Sequence, residues 1–153
     1  MGQFLGTHQN RLDAKGRVSI PAGFRVHLRN GSEDGAASLI LSPSHKYPCI
    51  EAWPEPVFET LAEPLNRLDM FSDDQDDFIT ALYADATRVE ADKEGRIILS
   101  ESLVQFAGLT DMVVFMGRGR TFQIWEPAAG ERRRAEARNA ARTRGLTLPS
   151  GSA

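Results

Sequence analysis

The stretch "RLDAKGRVSIP", Arg11 to Pro21, returns later in the chain as "EADKEGRIILS", Glu90 to Ser100. Each copy writes Asp-x-x-Gly-Arg and then runs into alternating apolar residues, Val18/Ile20 in the first and Ile97/Leu99 in the second. That alternation is the period of a half-buried strand. The motif itself reads as a turn between two strands. Asp13 or Asp92 accepts backbone N–H bonds from further round, and Gly16 or Gly95 supplies the positive φ that closes a three- or four-residue loop. Arg17 or Arg96 then leaves on the next strand, within reach of the aspartate. An exposed ion pair of that kind contributes only about 0–1 kcal/mol, so a single copy would signify a well-made hairpin and no more.

Working outward from the motif, the two halves keep the same order. After the second strand, "PAGFRVHLRNG" from Pro21 and "SESLVQFAGLT" from Ser100 each read as a short helix, with Pro or Ser at the start and Gly31 or Gly108 as the stop. The β-rich runs "ASLILS" (37–42) and "DMVVFMG" (111–117) follow. Each half closes on a strand ending in tryptophan and proline, with Trp53 in "CIEAWP" and Trp125 in "TFQIWEP". The predicted order in both is strand, turn, strand, short helix, strand, turn, strand.

Between the halves, Val57, Phe58, Leu61, Leu65 and Leu68 recur at helical spacing, and Phe78, Ile79, Leu82 and Tyr83 do so again. Ser72 suits an N-cap, with Asp73, Asp74, Asp76 and Asp77 in the first turn, where the helix dipole favours negative charge. Capping on a solvated surface accounts for these acids more simply than a metal site does. Beyond Trp125, residues 131–144 are rich in Ala and Arg with almost no apolar stripe. They read as a solvated helix or a partly disordered segment, and "LPSGSA" as a loose tail.

At 153 residues, 41% hydrophobic and 25% charged, the composition is that of a globular chain of one ordinary domain or two small ones. No window approaches the roughly 18 apolar residues of a membrane span, and the N-terminus has no secretory pattern. Cys49 is the sole cysteine, which excludes an internal disulfide. His8, His27 and His45 lack metal-ligand spacing, so neither a metal nor a cofactor is expected. These features make a reducing cytoplasm the simplest home. The net charge of −3 hides a strong segregation: residues 1–29 carry +4, residues 51–95 carry −10 and residues 96–153 carry +4. Such a chain can present a basic face while being acidic as a whole.

The duplicated turns put Lys15 and Arg17 on one loop and Lys93 and Arg96 on the other, with Arg11 nearby. Arginine's planar fork matches the two acceptors on guanine's major-groove edge, and lysine supplies phosphate attraction or a single base contact. Both loops lack the aromatic platforms that unstacked bases require, which favours double-stranded DNA over single strands. A hydrolase using Asp73, Asp76 or Asp92 with His8 has no nucleophile motif, phosphate-cradling loop or metal spacing behind it, so the chain is not expected to be an enzyme. A structural, ring-forming interaction protein with no DNA role is the main alternative.

"FLGTHQNRLDAKGRVSIPAGFR", "DKEGRIILSESLVQFAGL" and "FQIWEP", taken in this order and spacing from about Phe4 to Glu126, resemble the MraZ family of the SpoVT-AbrB class. The resemblance implies an α+β, β-rich fold in which tandem pseudo-symmetric AbrB-like swapped-hairpin modules form a small β-barrel-like core with flanking helices. It implies a first module over 7–56, a helical connector over 57–85, a second module over 86–129, and an Arg-rich helix or tail over 130–153. It further implies a homo-oligomeric ring that binds G-rich direct repeats in promoter DNA, acts as a transcriptional regulator, typically a repressor, of the division and cell-wall gene cluster, and associates with the nucleoid. The family's two signature turns fall on Asp13, Lys15, Gly16 and Arg17 and on Asp92, Gly95 and Arg96. In the second copy the lysine moves to Lys93 and Glu94 takes the place of Lys15, so the first loop is expected to contribute more to DNA affinity. The ring also has a physical rationale, since a hairpin-rich half of this size buries too little apolar surface to stand alone.

Overall fold

The computed structural model describes residues 3–32, 35, 37–67 and 71–149; the predicted helical position Leu68 and most of the terminal "LPSGSA" lie outside them. The first half comprises β1 (Thr7–Arg11), β2 (Arg17–Ser19), α1 (Ala22–Asn30), β3 (Ser38–Pro43) and β4 (Ile50–Pro54). Helices α2 (Glu55–Glu59), α3 (Ala62–Asn66) and α4 (Asp73–Tyr83) connect it to the second half. There β5 (Thr87–Glu90), β6 (Arg96–Ile98), α5 (Glu101–Phe106), β7 (Met112–Gly117) and β8 (Phe122–Trp125) repeat the order, and α6 (Pro127–Thr143) follows.

Local chemistry explains the boundaries. Pro21 precedes α1, whose Phe24 and Leu28 are buried one turn apart on the same face. Ser100 caps α5 by accepting a hydrogen bond from Leu103 N, and Gly108 ends that helix at φ +64°. Ser72 caps α4 in the same way, accepting from Gln75 N at 3.1 Å.

Pairing crosses between the halves. All six strands of the large sheet run antiparallel in the order β1-β7-β8-β4-β3-β5. Strand β1 therefore pairs with β7 of the other half, and β5 pairs with β3. At the centre β4 meets β8, with Glu51 opposite Gln123. A second, two-stranded sheet joins β2 to β6. Each edge strand of the large sheet turns directly into one strand of the small one, which gives the core its barrel-like character.

The exchange has an energetic consequence. One buried cluster takes Val18, Ile20 and Phe24 from the first half together with Ile97, Leu99, Val113, Phe115 and Phe122 from the second. Phe4, Phe24 and Phe122 meet at ring-centroid distances of 5.0–5.1 Å. Fully burying side chains of this kind contributes about 1.5–3 kcal/mol each. Because both halves supply them, neither half closes its core alone. Strand β7 is buried on both faces, which explains its unbroken apolar run: Val113 and Phe115 face this core, while Val114 and Met116 face a smaller cluster with Cys49 and Trp125.

Residues 131–143 take the helical alternative, as part of α6, and none of their side chains is buried, as a solvated helix requires; the helix is anchored by its first turn. Gly130 is buried, and a Cβ there would meet Val114 Cγ2 at 2.9 Å and Trp125 Cβ at 3.1 Å. The helix thus docks through a glycine and an alanine, Ala129, which no search for large apolar residues would find. Glu126 caps it, accepting from Ala128 N at 3.1 Å and Ala129 N at 2.9 Å. No helix among the described residues is long and apolar enough to cross a membrane.

Candidate nucleic-acid interface

The two Asp-x-x-Gly-Arg turns have the same geometry. In the first, Asp13 Oδ1 accepts from Lys15 N at 2.9 Å and Arg17 N at 2.8 Å, and Oδ2 accepts from Arg17 Nε at 2.7 Å. In the second, Asp92 Oδ1 accepts from Glu94 N and Arg96 N, both at 2.9 Å, and Oδ2 accepts from Arg96 Nε at 2.9 Å. Gly16 and Gly95 close the loops at φ +82° and +80°, a conformation that favours glycine. The backbone bond of Arg17, followed by its guanidinium, holds the Asp13 carboxyl below the usual carboxylate range. Arg96 does the same to Asp92, again first through its backbone N–H. In return, the hydrogen bond to Asp92 raises the Arg96 guanidinium's affinity for its proton, with a contribution from the charge of Asp13 in the other turn.

The turns flank one short ribbon. Arg17 pairs with Ile98, Val18 with Ile97 and Ser19 with Arg96. The ribbon is extended at both ends by Leu99 N donating to Gly16 O at 2.7 Å and Ile20 N donating to Gly95 O at 2.9 Å. Val18 and Ile97 are buried, so Arg17, Ser19, Arg96 and Ile98 share the outward face. Arg17 and Arg96 are diagonal neighbours on that face, about 7–8 Å apart. The two glycines stand four residue steps apart along the ribbon, about 13 Å. Lys15 and Lys93 are exposed at the two tips.

The four basic tip residues differ in availability. Arg17 and Arg96 each commit Nε to an aspartate, so they are oriented rather than free cations. Arg96 also approaches Glu94 at 3.5 Å. Among the described residues, the side chains of Lys15 and Lys93 make no ion pair. Arg11 is exposed at the end of β1, opposite Met112, and its counterpart in the repeat is Glu90. The second turn is therefore less positive, but α1 compensates. Arg25 reaches across to it, lying against Gly95 and donating from Nη1 to Glu94 O at 3.1 Å. The repeat conceals this residue, because the position equivalent to Arg25 in the second half is Val104. Asn10 Nδ2 also donates to Ser19 O at 2.6 Å, pinning the end of β2 to β1.

Two of the residues considered for catalysis, Asp92 and His8, are engaged elsewhere. Asp92 belongs to its turn, and His8 Nε2 lies 3.1 Å from Leu5 O with its ring edge-on to Phe24. Among the described residues, no group of three or more His, Cys, Asp or Glu side chains is placed to hold a metal ion.

Comparison with known proteins agrees with this architecture. The family model described as "MraZ protein, putative antitoxin-like" matches residues 3–80 and 82–145. That span runs past Glu126 to residue 145, so all of α6 lies within the family's extent rather than outside it. A protein of Gluconacetobacter diazotrophicus named Transcriptional regulator MraZ is 67% identical over 150 residues, covering 98% of this chain and 94% of the relative. Proteins of the same name from Gluconobacter oxydans and Pelagibacter ubique are 57% and 41% identical, covering 94% and 90% of this chain and 87% of each relative. The chain belongs to the MraZ family.

Proposed function

We propose that the chain is a DNA-binding transcriptional regulator that reads promoter DNA with the β2–β6 ribbon and its two turns. One observation carries the reading: Arg17 and Arg96, each aimed by an aspartate, share one exposed face with a lysine at either end. A two-stranded ribbon fits the major groove, where guanine offers O6 and N7 to a guanidinium fork and the thymine methyl offers an apolar contact suited to Ile98. Lys15, Lys93 and Arg11 would approach phosphates, and Arg25 would supply the charge that the second turn lacks. Asp13, Gly16, Asp92 and Gly95 build the turns and do not touch DNA. The relatives' name, Transcriptional regulator, supports a regulator rather than an enzyme.

In its finer form, the reading assigns residues 7–56 and 86–129 to the two modules, 57–85 to the connector and 130–153 to an appended helix and tail. The functional unit is a homo-oligomeric ring. Several ribbons would engage G-rich direct repeats about one helical turn apart, so that avidity supplies what one ribbon lacks. The regulated genes would be those of the division and cell-wall cluster, repressed by a protein associated with the nucleoid. Footprinting on the DNA upstream of the protein's own gene tests this. Protection of regularly spaced G-rich boxes is expected, and no protection at low salt would overturn it in favour of a ring that binds other proteins.

A further inference from the structure

Helix α6 turns Gly130, Arg133, Arg134 and Ala137 to one side, at the i, i+3, i+4, i+7 spacing of a core-facing stripe. Gly130 uses that stripe to pack on Trp125. One turn later the stripe carries guanidiniums where an apolar side chain would ordinarily continue the contact. Arg133 lies over the Tyr47 ring at 4.4 Å. Arg134 and Arg138, with Arg118 from the β7–β8 turn, line a cleft of about 440 Å³ between the helix and the sheet. No carboxylate lines it among the described residues. Among the described residues, none of these four arginines makes an ion pair, and Glu51 on β4 is already the acceptor of Gln123 Nε2 at 3.0 Å. The Nε of Arg134 is buried with no hydrogen-bond partner among the described residues. A buried donor of this kind is costly until an acceptor arrives, and an anion entering the cleft supplies one.

We propose that this cleft is a binding site for a small phosphorylated molecule, gripped by Arg134 and Arg138 from the helix and by Arg118 from the opposite wall. Guanidinium forks match phosphate oxygens in pairs, and the volume lies within the range of small-molecule sites. Promoter DNA is a poorer occupant. The cleft lies on the α6 side of the sheet, with Val114 and Met116, whereas the ribbon packs on the other side with Val113 and Phe115. A duplex seated on the ribbon cannot reach it.

Isothermal titration of the full chain with inorganic pyrophosphate tests the site. One site per chain is expected, with affinity reduced at least tenfold by Arg134→Ala/Arg138→Ala. Arg118→Ala, on an exposed turn outside the helix stripe, should weaken it in the same sense even if the double variant misfolds. Arg29→Ala, an exposed cation elsewhere, should leave binding unchanged, and saturating promoter duplex should not displace pyrophosphate. Absence of binding to the unaltered chain would overturn the proposal, as would an equal loss in Arg29→Ala, which would mark an adventitious ion only. Displacement by duplex would reassign the cleft to DNA. A change in assembly size in the Arg134→Ala/Arg138→Ala chain, with pyrophosphate affinity intact, would reassign it to contact between copies.

Discussion

Val18 sits directly opposite Ile97 at the midpoint of the β2–β6 ribbon, and the two residues hold the same position in the repeated motif. Each half therefore lends its second strand to the other about a local two-fold, and the outer strands follow: β1 leaves for β7 and β5 for β3. The two turns come to flank one face because this pairing places them there.

The two glycines should not be equally replaceable. A Cβ on Gly16 would meet the Leu99 carbonyl oxygen at 2.6 Å, and that oxygen belongs to the backbone. A Cβ on Gly95 would meet the side chain of Arg25, which can move. Both substitutions incur about 1–2 kcal/mol for the left-handed backbone. Gly16→Ala should therefore cost about 2–4 kcal/mol in denaturant unfolding, the collision being added to the strain, and Gly95→Ala should stay near the lower figure. Gly16→Val should be worse still.

Acid should loosen the turns at unusually low pH. Asp13 and Asp92 titrate below the ordinary carboxylate value in the folded chain, so as pH falls the unfolded chain takes up protons first. Their stabilisation is complete above the ordinary value of about 4 and is lost as pH drops through the lower folded values. Melting temperatures recorded from pH 7 to pH 2 should show that step. The Asp13→Asn/Asp92→Asn chain should melt lower at pH 7 and lose the step.

DNA affinity should fall steeply with salt, and the two lysines should account for part of the slope. Replacing Lys15 or Lys93 by Ala should reduce the slope of log affinity against log salt by about 1 each, without changing which sequence is preferred. A change in sequence preference would mean that the lysines read bases.

Cys49 should resist chemistry in the native state. Burial, with the charge of Glu51, pushes its thiol up to about 12. Ellman's reagent should titrate it only after denaturation, and fast labelling of the native chain would contradict the packing of Cys49 under α6.

Much of this was legible in the residues. The paired Asp-x-x-Gly-Arg motifs carry their turn geometry in their own side chains, so Asp13 and Asp92 could be placed without a structure. The strand exchange follows from the resemblance but not from periodicity, because period-two alternation says which face of β1 is buried and nothing about which strand lies beside it. Arg25 was invisible for a related reason: its contact with Gly95 is long-range, and the repeat offers no second copy of it. The docking of helix α6, though not its helical character, escaped because a glycine against a tryptophan is a packing device with no apolar signal.

Removing residues 145–153 should change little, since no helix or strand lies there among the described residues. Removing residues 127–153 would uncover Trp125, Val114 and Met116. That should cost several kcal/mol, at about 1.5–3 kcal/mol for each side chain exposed. A lower melting temperature and a red-shifted tryptophan emission would report it.

The ribbon's role is tested most directly by fluorescence anisotropy with a labelled duplex from the DNA upstream of the gene, comparing the unaltered chain with Arg17→Ala/Arg96→Ala. Each arginine should be worth about 1–3 kcal/mol of specific binding, so the double variant should lose at least thirtyfold in affinity while keeping its assembly size. Equal affinity of the two proteins for that duplex, with the unaltered chain binding it at low salt, would show that DNA is held by some other surface.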